Sequence, residues 1–269
     1  MSRFTPPLAC AALTAVLATG SAAQTPKFSD LHRMLPWNGP VSRIVSGDVD
    51  GDGDVDAFLA IGPPVLLFLN QGTGSFVDAP AQVPAVPAAG TPSALGDLDG
   101  DGDLDALASG AATAEPIRLW LNNGAGTFSL TTGQVTAPPF LPNQIALGDL
   151  DGDGDLDAIA ANNGPETLLL NDGAANFADA SGLVPSTLDA SVSVALGDLD
   201  GDGDLDALLG NGPCYPSFAG SERLLLNDGS GAFTDASAQL PPNAIYGAAG
   251  SISLGDLNGD GDLDAVLGS

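Results

Sequence analysis

Basic residues are scarce: 6 Lys and Arg stand against 34 Asp and Glu in a chain of 269 residues. Phosphate recognition needs clustered cations, so nucleic acid is excluded as a partner. Histidine occurs once, at His32. No Ser-His-Asp or Cys-His arrangement can be assembled around it, and it reads as a surface residue rather than a base, so the chain is not expected to be an enzyme. Cysteine occurs twice, at Cys10 and Cys214. Cys10 belongs to an N-terminal leader, which leaves Cys214 without an internal partner, and it reads as an inert thiol. Nothing beyond the N-terminus approaches the ~18 continuous apolar residues that a membrane-spanning helix needs. With 36 Gly and 21 Pro, there is little room for helices of any kind.

The leader reads "MSRFTPPLACAALTAVLATGSAAQTP". Arg3 precedes a short apolar run, Leu8 to Ala18, and Ser21-Ala22-Ala23 forms a small-x-small cleavage site. Residues 1–23 therefore read as a secretory signal peptide and residues 24–269 as the mature domain. A secreted, cell-surface or periplasmic location follows.

The acidity itself is concentrated. "GDLDGDGDLDA" occurs letter for letter at Gly96, Gly148 and Gly197, with near copies at Gly47 and Gly255. Four of these loops hold five Asp and the last holds four, together 24 of the 34 acidic residues. Successive loops lie 49, 52, 49 and 58 residues apart. A period near fifty is the signature of a repeat architecture. Disorder is disfavoured, because 44% of the residues are hydrophobic and recur in a fixed pattern.

A second motif follows the first four loops: "LFLNQGTGSF", "LWLNNGAGTF", "LLLNDGAANF" and "LLLNDGSGAF". Asn and Phe are always six residues apart, with Gly between them, which reads as a tight hairpin. "SVSVALGDL" alternates with period two into the loop, and "DALLG" leaves it as a short apolar strand. Each unit thus supplies four strands: A into the acidic loop, B out of it, C as "LLLN", and D from the Phe. The predicted fold is all-β, a β-propeller of four-stranded antiparallel blades. "FSDLHRMLP" at Phe28 is similar to "FTDASAQLP" at Phe233, so the mature chain is expected to begin with a lone strand D. It then runs through four full blades and ends on strands A and B of a partial or composite fifth. The stop after "DAVLGS" favours a fragment of a larger propeller over a closed five-bladed ring.

In the first loop Asp48, Asp50, Asp52 and Asp56 alternate, and Gly53 follows the third. Alternate carboxylates in a tight turn converge on one point, and Gly allows the backbone to turn there. Such a set of hard oxygens suits calcium, which takes six to eight oxygen ligands. Zinc is disfavoured, since neither His nor Cys is present. An EF-hand would need Glu where Leu59 stands, twelfth in the loop, and a helix after it.

These loops and hairpins resemble the FG-GAP/VCBS-type repeat, the calcium-bearing blade of integrin α-subunit heads and of many secreted bacterial proteins. The resemblance spans residues 28–269. It implies one calcium per acidic loop, up to five, between the first two strands of each blade. The implied ligands are Asp48, Asp50, Asp52, Asp54 and Asp56; Asp97, Asp99, Asp101, Asp103 and Asp105; and Asp149, Asp151, Asp153, Asp155 and Asp157. Asp198, Asp200, Asp202, Asp204 and Asp206 follow, then Asp256, Asn258, Asp260, Asp262 and Asp264. The seventh residue of each loop, such as Asp103, would donate its backbone carbonyl and the others a side-chain oxygen. Asn258 keeps an oxygen but loses a charge, which would weaken the fifth site.

Two functions fit the repeat. One is a non-enzymatic binding, adhesion or scaffold module with a protein or carbohydrate ligand. The other is a carbohydrate-active protein, whether lectin, lyase or hydrolase, on the same scaffold. Glu115, Glu166 and Glu222 in the B–C connections are the carboxylates a paired acid/base site would use. The longest of these connections, Asn211–Arg223, carries Tyr215, Phe218 and Arg223. They are the candidate ligand-binding residues, because variable loops on a rigid scaffold are where binding resides.

Overall fold

The structure is a computed structural model. It describes residues 41, 43–60, 65–72, 75–83, 91–109, 117–140, 142–187, 189–212, 222–241 and 250–268. The expectations for the leader, the strand at Phe28, His32, Glu115, Cys214, Tyr215 and Phe218 lie outside these residues.

Eighteen strands are described, in five antiparallel sheets. The first is β1 (Arg43–Gly47), β2 (Asp56–Ala60), β3 (Leu66–Asn70) and β4 (Phe76–Asp78). The second is β5 (Thr91–Gly96), β6 (Asp105–Ser109), β7 (Arg118–Leu121) and β8 (Ser129–Leu130). The third is β9 (Pro142–Gly148), β10 (Asp157–Asn162), β11 (Thr167–Asn171) and β12 (Phe177–Asp179). The fourth is β13 (Ser191–Gly197), β14 (Asp206–Asn211), β15 (Arg223–Asn227) and β16 (Phe233–Asp235). Strands β17 (Ser251–Gly255) and β18 (Asp264–Gly268) pair alone. In every four-stranded sheet sequence neighbours are hydrogen-bonded neighbours, which is the up-and-down order of a propeller blade. The only helical elements described are three-residue 3-10 turns, such as Ser181–Leu183 after β12.

A single blade has no core of its own. The apolar clusters form between consecutive blades. Phe58 and Leu67 of the first meet Ala106 and Trp120 of the second. Leu98 and Leu119 meet Ala158 and Phe177, and Leu150 and Leu168 meet Ala207 and Leu225. The second strand of a blade is therefore covered on both faces, and β6, β10 and β14 are buried along their whole length. This explains why "DALLG" reads as a continuous apolar run rather than an alternating one.

One contact fixes the spacing between blades. A Cβ at Gly47 would stand 2.6 Å from Leu104 Cδ1, and one at Gly148 would stand 2.6 Å from Leu205 Cδ1. The glycine that ends the first strand of each four-stranded blade is thus the slot into which the next acidic loop's Leu inserts.

Candidate metal centre

The acidic loop folds around its own aspartates. In the second loop Asp97 accepts the Gly100 N–H at 2.8 Å through Oδ1 and the Gly102 N–H at 3.0 Å through Oδ2. Asp99 Oδ1 accepts the Asp101 N–H at 3.3 Å, and Asp101 Oδ1 accepts the Asp103 N–H at 3.0 Å. The chain turns back at Gly100 and Gly102, whose φ values are +78° and +95°. Only glycine occupies that region without a steric penalty. The clasp of the first aspartate recurs in the other four loops, through Asp48, Asp149, Asp198 and Asp256.

The ninth residue anchors the loop from beneath. Asp105 is fully buried. Its Oδ2 accepts the Leu98 N–H at 3.1 Å, and its Oδ1 accepts the Asn122 N–H at 2.8 Å from the end of β7. Burial pushes the carboxyls of Asp105 and Asp157 up to about 6. Asp56 and Asp206 are raised as well, again chiefly by burial.

Carboxylate oxygens converge in four loops, within 4.8 Å of one another: Asp48, Asp50 and Asp56; Asp97, Asp99 and Asp101; Asp149, Asp151 and Asp157; Asp198, Asp200 and Asp206. Among the described residues no Lys or Arg pairs with them. The third-position carboxyls of Asp50, Asp99 and Asp151 are raised, by burial first and then by the neighbouring carboxylates. Three hard, mutually repelling oxygens without a cationic side chain make a donor set that could hold a metal ion, and its chemistry is compatible with calcium.

The fifth-position residue joins the convergent group only as Asp101; Asp52, Asp153 and Asp202 stand outside it. The seventh-position side chains point elsewhere. A Cβ at Gly72 would stand 2.6 Å from Asp54 Oδ2, so this carboxylate lies against the C–D hairpin. Asp103, Asp155 and Asp204 are placed the same way beneath Gly124, Gly173 and Gly229. In the fifth loop Asp256, Asn258, Asp260, Asp262 and Asp264 keep the hydrogen-bond pattern. With Asn258 in place of the third-position Asp, it does not present a convergent group of three acidic residues.

Each of the first three loops is also bonded to the next blade. Asn122 Nδ2 donates to the Val49 carbonyl of the first blade at 2.8 Å and to its own Leu104 carbonyl at 3.1 Å. Asn171 bridges Leu98 and Leu156 in the same way, and Asn227 bridges Leu150 and Leu205. The "LLLN" asparagine is therefore the rivet between neighbouring loops. The motif was visible in the sequence, but its partner, 73 residues away, was not.

Outside the loops, the placement of Arg223 corrects an expectation. It begins β15, and its guanidinium is buried rather than presented on a loop. It donates to the Pro185 carbonyl at 3.0 Å and lies 3.2 Å from Asp235 and 3.7 Å from Glu166. Asp235 ends β16 of the same blade, but the contacts with Pro185 and Glu166 cross from the fourth blade to the third, so Arg223 is a clamp between blades. Glu166 is buried too, accepting from Ser191 Oγ at 2.6 Å and from the Asn162 N–H at 2.9 Å. Burial raises its carboxyl. Glu222 is buried at the start of the same strand.

The repeated unit seen here matches a family profile described as FG-GAP-like repeat over residues 48–108, 109–160, 149–209 and 216–267. The chain belongs to the FG-GAP-like repeat family. Among solved structures it is similar to an Agrocybe aegerita lectin described as specifically recognising non-reducing terminal N-acetylglucosamine. The TM-score is 0.55 at 20% identity, covering 86% of this chain and 61% of the lectin. The FG-GAP chain thus spans about three fifths of that protein's length, and the likeness is one of fold. A V. cholerae biofilm matrix protein, Bap1, aligns at a TM-score of 0.41 and 18% identity, over 85% of this chain and 34% of its own. No curated protein matches the chain.

Proposed function

We propose that this FG-GAP chain is a secreted, calcium-loaded, non-enzymatic module whose metal sites hold the blades in place for binding a carbohydrate or protein. The observation that supports this reading is the position of the carboxylate clusters. Three of the four lie in loops hydrogen-bonded to the next blade, through Asn122, Asn171 and Asn227. A cation there would neutralise the convergent aspartates and stiffen the contact between blades. Asp48, Asp50 and Asp56 and their counterparts would supply side-chain oxygens, and Asp54 and its counterparts the backbone carbonyl. In this reading the ligand takes the opposite face, where the long connections between second and third strands emerge. Arg223 and Glu166 support that face from below rather than touching the ligand.

Binding to an immobilised panel of glycans and polysaccharides tests the reading, with product release followed in parallel. Calcium-dependent retention without cleavage is the expected result. Release of shortened or unsaturated sugars would replace it with a carbohydrate-active enzyme.

A further inference from the structure

We infer that the calcium sites of successive blades are coupled, so that filling one loop raises the affinity of its neighbours, and that Asn122, Asn171 and Asn227 are the positioning residues that carry the coupling. This rests on the calcium reading above and adds how its sites act on one another.

In each of the first three loops the residue between the first two aspartates is held from both sides. Val49 stands between Asp48 and Asp50. Its N–H donates to Asp56 Oδ2 at 2.9 Å, and its carbonyl accepts from Asn122 Nδ2 at 2.8 Å. Leu98 is held in the same way between Asp105 and Asn171, and Leu150 between Asp157 and Asn227. The backbone N–H of each asparagine donates to the ninth-position Asp of its own blade's loop. Asn122 reaches Asp105, Asn171 reaches Asp157 and Asn227 reaches Asp206, at 2.8 to 2.9 Å. One continuous run of hydrogen bonds therefore leads from Asp206 through Leu150, Leu98 and Val49 to Asp56. Asp56, Asp157 and Asp206 are themselves members of convergent groups, and Asp105 lies beneath the remaining one.

The hairpin tip adds a second contact at two of these joints. A Cβ at Gly152 would stand 3.1 Å from the Gly229 carbonyl oxygen, and one at Gly100 would stand 3.4 Å from that of Gly173. The turn of the loop is packed against the following blade's hairpin, and neither shifts without the other.

Without a cation the convergent carboxylates repel one another and favour a loosened loop. A loosened loop draws the Val49, Leu98 or Leu150 carbonyl away from its asparagine. That asparagine then loses the bond that keeps its backbone N–H on the next site's Asp. A closed loop does the reverse and leaves its neighbour preorganised, and the effect is reciprocal. Charge alone predicts the opposite sign, because each bound cation makes the chain less negative and weakens the next.

The test is a calcium titration of the full chain by isothermal calorimetry at about 0.15 M salt, where long-range charge effects are screened. Stepwise affinity is expected to rise by about fivefold or more from the first ion to the last. Asn171→Ala cuts the run between the second and third loops and is expected to reduce that rise. Asn70→Ala keeps its backbone N–H, and among the described residues its side chain donates only to Val55 O, so the rise should persist. Asp151→Ala empties the third loop and is expected to weaken the remaining sites by about fivefold or more. It carries the test alone if Asn171→Ala does not fold. Independent or successively weaker sites in the unaltered chain, an equal rise in Asn171→Ala, or undiminished affinity in Asp151→Ala would overturn the coupling and leave a calcium-binding module standing. No calcium uptake at all would overturn both.

Discussion

Alternate aspartates in one loop do different work. Asp151 turns its carboxylate into the convergent group with Asp149 and Asp157, whereas Asp155 turns away beneath Gly173. Asp151→Ala is therefore expected to remove one calcium from the stoichiometry measured by isothermal titration, and Asp155→Ala to leave the count unchanged. The hairpin asparagines divide in the same way. Asn171 holds two carbonyls, one of them in the preceding blade. Among the described residues Asn70 donates its side chain only to Val55 O, at 3.2 Å and in an exposed position. Asn171→Ala strands buried carbonyls and is expected to cost about 1–3 kcal/mol, while Asn70→Ala costs less than about 1 kcal/mol. Urea unfolding of the two variants gives the comparison.

At the scale of the element, loop and hairpin form one unit, and that unit titrates. The carboxyls of Asp105 and Asp157 lie near 6 in the fold. An unfolded chain titrates them near the ordinary value of about 3.9, so between about pH 4 and pH 6 the folded state holds more protons. Stability of the metal-free protein is then expected to fall as pH rises through that window. Calcium requires the deprotonated groups and should reverse the slope. Urea midpoints at several pH values, with calcium and after its removal, check the sign. Much of this element was legible in the sequence. The alternation of Asp, the paired glycines and the constant step from Asn to Phe define the loop and the hairpin. Inter-blade placement was not legible. Nothing local tells that Asn122 reaches Val49, or that the glycine ending a first strand is a slot for the next blade's Leu. The "SER" stretch before β15 gave Arg223 the look of a loop residue. Its burial comes from carboxylates and a carbonyl on the third blade, which no local pattern encodes.

At the scale of the whole molecule, cohesion lies between the blades, in the three apolar clusters and in the bonds from each hairpin to the preceding loop. The net charge of −28 opposes it, and most of that charge sits in the loops at those contacts. In the proposed reading calcium would act where cohesion and repulsion meet. A site held at one hundred times its dissociation constant adds about 2.7 kcal/mol. At roughly 2–4 °C per kcal/mol for a chain of this size, one filled site raises Tm by about 5–10 °C, and several raise it further. The most direct test is the thermal melt of the full chain in millimolar calcium and in EDTA. A Tm higher in calcium by at least one such step, restored when calcium is added back, is the predicted result. The same Tm in both solutions would contradict a calcium-held propeller.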